Sequence, residues 1–211
     1  DYLGYSVFRH QDVWQVLHHP EPYSNRVSTR HIAVPSGLDA PEHTAFRAIN
    51  DQYFTSERMA AFEPICRSVI RDLVSALPHG EVVEIADRFA KDYAVRIQNA
   101  FMGWPAELEH PLNEWIEKNR RATLAQDSEE MAKIALEFDG YIRTLLQARR
   151  EKPTGDVTDE LLNNVVHLPE GDRCMSEEEL VSLIRNWTVG ELSTISASVA
   201  SDFAIRRFSS T

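Results

Sequence analysis

Two short stretches of the sequence place polar side chains where helical geometry disfavours them. The first holds His43 and Arg47, four residues apart in a segment that begins at Pro41. On a helix this spacing puts both side chains on one face, near the positive end of the helix dipole, where acidic residues are normally favoured. An anion bound nearby would resolve that conflict. The alternative is a solvated His and Arg, partly offset by Glu42.

The second stretch covers residues 186–200, where Glu191 is the only charged residue and Gly190 interrupts a helical pattern. Glycine inside a helix costs about 1 kcal/mol relative to alanine. Its missing side chain would let a flat ligand or a peroxide-sized group approach the backbone, while Glu191 and Thr194 would present an acid and a hydroxyl on one side. The alternative is a helix crossing at Gly190, with Glu191 in a salt bridge and Ser193 and Thr194 bonded to the preceding turn.

Composition and charge narrow the classes of fold and partner. The chain has 211 residues, 43% of them hydrophobic and only 8 glycines, which favours a helical protein over glycine-punctuated β-sandwiches and dinucleotide folds. Its net charge of −11 argues against nucleic acid and anionic lipid as partners. Cys66 and Cys174 match no disulfide framework and no metal-ligand spacing, which suits a reducing cytoplasm. That spacing gives no reason to expect a metal site. No apolar run has membrane-spanning length, so a membrane span is not expected either.

Apolar periodicity, with Pro and Gly as boundaries, predicts the elements that must position these residues. We expect a short strand at residues 4–8 and a long loop at 20–40, of the kind that is often functional. A capping box of Ser176 and Glu179 begins a last helix that could reach Ala200. The other predicted helices lie at about 10–18, 41–54, 64–77, 89–101, 106–125, 128–150 and 158–163.

In order and spacing, these segments resemble the cytochrome P-450 family of haem-thiolate monooxygenases over nearly the whole chain. Residues 39–47, Asp-Ala-Pro-Glu-His-Thr-Ala-Phe-Arg, resemble the entry to the family's C helix, whose His and Arg positions bind a haem propionate. Residues 156–162 resemble the short helix before the central one. Residues 180–199 resemble the I helix, in which a small-Gly-x-acid-Thr pattern crosses the haem face and serves oxygen activation.

This sequence departs from the usual I-helix pattern. Counted from Gly190, the acid position holds Leu192 and the alcohol position holds Ser193, while Glu191 and Thr194 flank them. Which pair handles protons therefore stays open at this point.

Two hallmarks of the family, a Glu-x-x-Arg helix and the loop whose Cys binds the iron, are not found in the sequence. Neither Cys66 nor Cys174 stands in a ligand context. The resemblance thus implies a mainly helical but incomplete cytochrome P-450-like fold with a short amino-terminal strand. Residues 1–200 would be the amino-terminal part of one domain, from the B helix to the I helix, and residues 201–211 an atypical tail from truncation or a shifted reading frame.

For the full-length parent, the resemblance implies a bacterial, cytoplasmic monooxygenase that activates dioxygen and oxidises a small organic substrate. It implies heme b as cofactor, with the iron-ligating Cys outside this chain, so this chain alone is expected to be inactive. The electron donor would be a reductase or ferredoxin. Residues 185–191 are similar to bacterial members with a fused reductase.

The resemblance also implies residue roles. Cofactor contacts would come from His43, Arg47 and Gly190, catalysis from Glu191, Ser193 and Thr194, and substrate contacts from Trp187, Val189 and the loop at 23–38. A rival hypothesis is a helical binding or interaction module without haem, in which Gly190 is a packing notch and His43 with Arg47 forms an exposed basic patch.

Overall fold

The computed structural model describes residues 5–26 and 32–209, and all their side chains except those of Asp87 and residues 204–209. Within these ranges the architecture is mainly α, as predicted, with one small antiparallel hairpin. A π-helical turn at Ile85–Ala90 leads into the fourth helix, and a 3-10 turn at Ala106–Leu108 leads into the fifth. The helices and strands are α1 His10–His18, α2 Glu42–Asp51, α3 Ser56–Ser75, α4 Lys91–Met102, α5 Glu109–Ala125, α6 Ser128–Glu151, α7 Val157–Leu162, β1 Val165–Leu168, β2 Gly171–Cys174 and α8 Glu177–Ser209.

The strand predicted at residues 4–8 is wrong for the part that the structure describes. Residues 5–8 form no strand, and Gly4 lies outside the described residues. Tyr5 is fully exposed and Phe8 is 89% exposed. Since no strand in the described ranges pairs with this segment, its alternating pattern has no sheet face to bury.

The hairpin of β1 and β2 was not predicted. The two strands pair with Val166 opposite Arg173 and Leu168 opposite Gly171. Val166 and Leu168 are buried while their neighbours are exposed, so β1 contributes one apolar face to the core. Each strand has only four residues, which is too short for a periodic signal.

Two helix boundaries also differ from the prediction. The helix α3 begins eight residues before Pro64, where the hydroxyl of Thr55 accepts a hydrogen bond from the backbone N–H of Arg58 (3.3 Å). Pro64 is tolerated inside the helix because Ala60, whose carbonyl loses its partner, is exposed to water. The helix α8 runs past Ala200 to Ser209, so most of the segment predicted as an atypical tail is helical.

The core is built around α4, which packs against α3, α5 and α8, while α6 packs against α5, α7 and α8. The amphipathic faces of these helices supply side chains that are almost completely buried. The largest are Met102, Leu112, Phe138, Ile142, Leu146, Leu183 and Ile184. This packing holds the first half of α8 rigidly against the rest of the molecule.

A polar cluster, which we call the α4–α7 junction, joins the end of α4 to α6 and α7. The guanidinium of Arg149 donates to the carboxylate of Asp156 through Nε (3.1 Å) and Nη2 (2.8 Å), and also to the carbonyl of Gly103. The indole N–H of Trp104 donates to the hydroxyl of Thr158 (2.9 Å). Gly103 ends α4 with a left-handed φ of 73°. Each of these buried polar groups therefore has a partner.

Candidate functional site

An open cleft of about 460 Å³ lies where α2, α8 and the loop before α2 meet. It contains a cation, two carboxylates and two aromatic rings, so it combines charge with apolar surface. Its lining residues are Pro35, Ser36, Arg47, Asn50, Asp51, Phe54, Asn186, Trp187 and Glu191. Segments more than 130 residues apart in the sequence thus form one site.

The helix α2 presents Arg47 to this cleft. Phe46 and Ile49 on the same helix are buried, which leaves Arg47 on the outer face. Its Nε donates to the carboxylate of Asp51 at 2.6 Å, and the two side chains are 56% and 57% exposed. Such exposed pairs contribute about 0.2–1 kcal/mol, so a bound anion can replace Asp51 at little cost.

His43 lies one turn earlier on α2 but is not among the residues that line the cleft. Its backbone N–H donates to the carbonyl of Asp39 (2.8 Å). The carboxylate of Asp39 accepts hydrogen bonds from the hydroxyl of Ser24 (2.6 Å) and the backbone N–H of Asn25 (2.9 Å). These bonds, with smaller contributions from Arg26 and His43, lower the pKa of Asp39. Arg47 therefore lies at the cleft, whereas His43 lies beside Asp39.

The open face of α8 carries three of the predicted site residues, because Gly190, Ser193 and Thr194 are all exposed. A Cβ built on Gly190 would meet no atom within 4 Å, so no helix crosses there in the described part of the chain. The hydroxyl of Thr194 donates to the carbonyl of Gly190 (2.8 Å), and that of Ser193 contacts the same carbonyl (3.2 Å). The alternative hypothesis was a helix crossing with a salt bridge at Glu191 and hydroxyl bonds to the preceding turn. Among the described residues, only the hydroxyl bonds are found.

Glu191 lies beside that face, half-exposed. Among the described side chains of residues 5–26 and 32–203, no cation lies within ion-pair distance of its carboxylate. The hydroxyl of Thr194 lies 3.3 Å from the backbone carbonyl of Glu191 rather than bonding its carboxylate. The acid and the alcohol therefore share one side of the helix without being joined.

Trp187 and Val189, the predicted substrate contacts, have different surroundings. Trp187 is 6% exposed and packs among Tyr53, Phe54 and Phe101, with ring centroids 5.3, 5.2 and 6.4 Å away. Its indole N–H has no hydrogen-bond partner in the part of the chain that the structure describes. Val189 packs against the hydrophobic core and lines neither of the two cavities described here. Of the loop predicted at 23–38, residues 27–31 lie outside the described residues, while Pro35 and Ser36 reach the cleft.

A narrower apolar groove of about 280 Å³ lies on the other side of Trp187, between α3, α4 and α8. Gln98 lines it, is 3% exposed, and its amide nitrogen has no partner. Burial raises the pKa of the Cys66 thiol, although a hydrogen bond with Tyr93 acts in the opposite direction. The thiol therefore stays protonated at neutral pH. No group of three His, Cys, Asp or Glu side chains that could hold a metal ion occurs in the described ranges.

Sequence reasoning missed part of the cleft. Ser182 and Asn186 are polar residues four apart in the first half of α8, and both bond the loop before α2. Their spacing is the signal that could have identified them. Nothing in the sequence pattern indicated which loop residues they contact.

No family model matches the sequence. The chain is 27% identical to mycinamicin IV hydroxylase/epoxidase of Micromonospora griseorubida, over 84% of this chain and 46% of that protein. It is also 27% identical to the polyketide biosynthesis cytochrome P450 PksS of Bacillus subtilis, over 74% of this chain and 37% of that protein. The chain thus spans about half, or less, of the curated relatives it matches.

Among solved structures, a mutant of P450 EryK in complex with erythromycin B superposes with a TM-score of 0.74 at 25% identity. The alignment covers 88% of this chain and 49% of that one. This chain has the fold of part of a cytochrome P450. The fold that the sequence resemblance implied is therefore confirmed, and the relatives that share it are cytochrome P450s.

The cleft residues fit the haem of a cytochrome P450. Haem has a flat apolar ring and anionic propionates, so it requires an apolar surface with a cation at its edge. The cleft supplies Arg47 as that cation, and Phe54 and Trp187 as apolar walls. At Gly190 the surface of α8 is open, which suits a flat group.

Proposed function

We propose that this chain is the amino-terminal, haem-facing part of a bacterial cytochrome P450 monooxygenase that activates dioxygen and oxidises a small organic substrate. The observation that carries this proposal is the shared cleft, in which Arg47 of α2 meets Trp187 and Glu191 of α8. The cofactor is heme b, with its iron-ligating Cys outside this chain. Residues 1–200 form the amino-terminal part of one domain.

In this proposal, Arg47 exchanges its surface partner Asp51 for a haem propionate. A charge-assisted hydrogen bond to an ionised group contributes about 1.5–3 kcal/mol, more than the exposed pair it replaces. His43, one turn away on α2, is the second proposed propionate contact. Gly190 keeps the surface of α8 flat where the ring lies.

When bound, the haem supplies the oxidation chemistry, and the residues of this chain manage protons and water around it. Glu191 lies half-exposed beside the open face of α8, and among the described side chains no ion pair holds its carboxylate, so it is the proposed carrier of protons between bulk water and that face. The hydroxyls of Ser193 and Thr194 each donate to a helix carbonyl and retain acceptor capacity toward a bound group. Trp187 and Val189, with the loop at 23–38, are proposed substrate contacts.

The proposed partners are an organic substrate, dioxygen and a reductase or ferredoxin. A fused reductase stays a prediction from residues 185–191, which the relatives do not support. The cytoplasmic location also stays a prediction. None of the helices in the described ranges combines the length and apolar character that a membrane span requires. Because the iron ligand is placed outside residues 1–211, this chain alone is predicted to have no monooxygenase activity.

The test is haem retention by the full-length parent. We expect Arg47→Ala to speed haem loss about 10–100-fold, which corresponds to 1.5–3 kcal/mol, measured by haem transfer to excess apomyoglobin. The matched control is Arg67→Ala, since Arg67 forms the same exposed pair four residues from its partner Glu63 (2.6 Å). Equal rates of haem loss in the two variants would show that Arg47 is a solvated surface residue. A parent gene without a Cys-loop region after residue 200 would end the monooxygenase proposal.

A further inference from the structure

The segment 32–36, which forms one wall of the cleft, is bonded to side chains of α8. The hydroxyl of Ser182 accepts from the backbone N–H of Val34 (2.9 Å) and donates to the carbonyl of Ile32 (2.6 Å). The amide of Asn186 donates to the carbonyl of Val34 (2.7 Å). Two side chains of a helix therefore satisfy three backbone groups of the segment.

The spacing of the two partners explains why this works. Four residues along a helix advance about 6 Å and return to the same face. Ser182 and Asn186 therefore reach the carbonyls of Ile32 and Val34, two residues apart, from successive turns of α8. Ser182 is 2% exposed and Val34 is fully buried, so water does not compete for the bond between them.

The bonded segment leads directly into the cleft. After Val34 the chain turns, with the N–H of Gly37 donating to the carbonyl of Ala33 (2.6 Å). Pro35 and Ser36 on this turn line the cleft together with Trp187. Gly190 follows Ser182 and Asn186 at the same four-residue interval. The two side chains that bond the segment and the open surface at Gly190 therefore lie on successive turns of one face of α8.

We propose that Ser182 and Asn186 are positioning residues that hold Pro35 and Ser36 at a fixed distance from the open face of α8, and so set the size of ligand that the cleft accepts. The effect on ligand choice rests on the proposed function. The anchoring itself does not, because all of its bonds join residues 32–34 to α8 within this chain.

The first experiment measures amide hydrogen exchange in this 211-residue chain. We expect Ser182→Ala to speed exchange of the Val34 amide at least tenfold, and Asn186→Leu to speed it by a smaller factor. Ser182→Thr should restore protection. The matched control is Thr188→Val, because the buried hydroxyl of Thr188 bonds only the carbonyl of Ile184 within α8 (2.6 Å). Unchanged exchange at Val34 in Ser182→Ala overturns the anchoring.

The second experiment uses the haem-loaded full-length parent and two probes, imidazole and 4-phenylimidazole, with binding followed by haem absorption. We expect Ser182→Ala and Asn186→Leu to change the ratio of the two dissociation constants several-fold, and Thr188→Val to leave it unchanged. An unaltered ratio together with faster Val34 exchange overturns the role in ligand size. A parent that takes up no haem refutes the proposed function instead, while the exchange result still decides the anchoring.

Discussion

The α4–α7 junction and the cleft both contain polar side chains between helices, but the two regions differ in how these side chains are paired and exposed. In the junction, Arg149 and Asp156 have side chains 9% and 17% exposed, and they bond each other. In the cleft, Arg47 pairs with the exposed Asp51, and the buried indole N–H of Trp187 has no partner among the described residues. The polar groups of the junction are buried and paired with each other, whereas the ion pair of the cleft is open to water.

This difference separates structural polar groups from those available to a ligand. A buried donor without a partner costs about 1–3 kcal/mol, and native structures contain few of them. The junction avoids that cost by pairing its groups within the chain. In the cleft, the Arg47–Asp51 ion pair is exposed and easily displaced, as expected of a surface that binds something outside this chain.

The largest effect that we predict concerns the cleft side of the comparison. In the full-length parent, replacing Thr194 by Val removes a hydroxyl at nearly constant volume, so substrate binding should persist while reducing equivalents are lost to peroxide. General acid–base groups contribute about 10²–10⁴-fold, and we expect a loss in product formation toward that range. The measurement is product formed per reduced cofactor consumed.

Ser193→Ala is the matched comparison, since its hydroxyl contacts the same carbonyl of Gly190. We favour Thr194 because it lies one turn from Glu191. Loss of coupling in Ser193→Ala instead would transfer the role to Ser193. Unchanged coupling in both variants would make these hydroxyls structural, like those of the junction.

The next effect concerns the junction. Gly103 has a left-handed φ of 73°, and a Cβ there would overlap the side chain of Asp156. Gly103→Ala combines a left-handed penalty of about 1–2 kcal/mol with overpacking of about 1–3 kcal/mol, so we expect it to lower the free energy of unfolding by about 2–5 kcal/mol. Gly80→Ala is the control, since Gly80 has a φ of 77° with no atom within 4 Å of its Cβ position. Equal losses in urea denaturation would show that the junction tolerates the added methyl.

The smallest effect sharpens the comparison through pH. Partial burial raises the pKa of Asp156, but hydrogen bonds from Arg149, Thr154 and the backbone of Asp159 outweigh burial and lower it overall. A carboxyl with a lowered folded-state pKa stabilises the protein above its unfolded pKa of about 3.9. That stability is lost as the pH falls through the lower folded-state value.

Asp156→Asn should therefore be less stable than the unmodified chain by about 1.5–3 kcal/mol at neutral pH, the range for hydrogen bonds to charged groups. The difference should shrink as the pH falls from about 5 toward the folded-state pKa. The measurement is urea denaturation of both proteins across that range. Asp51→Asn, which removes the exposed carboxylate beside Arg47, should show almost no such difference at any pH. A constant gap for Asp156→Asn would contradict the ionised pair in the junction.

Local signals in the sequence determined most of the helices and part of the site. Apolar residues at helical spacing predicted α5, α6 and α7 nearly to their ends, because the face that a helix buries depends on residues three or four positions apart. The same local rule placed Glu191 and Thr194 on one side of α8, where the structure leaves Glu191 half-exposed and Thr194 exposed. The capping box at Ser176 marked the start of α8 correctly because both of its partners are local.

Tertiary structure alone decided which of these faces meet. His43 and Arg47 share a face of α2, yet only Arg47 lines the cleft, because α8 and the loop close on one end of that face. Of the two predicted substrate contacts on α8, only Trp187 lines the cleft, while Val189 packs against the core. Ser182 bonds Val34 across 148 residues of sequence. Such a contact depends on how whole helices and loops pack, and no spacing within either segment encodes it.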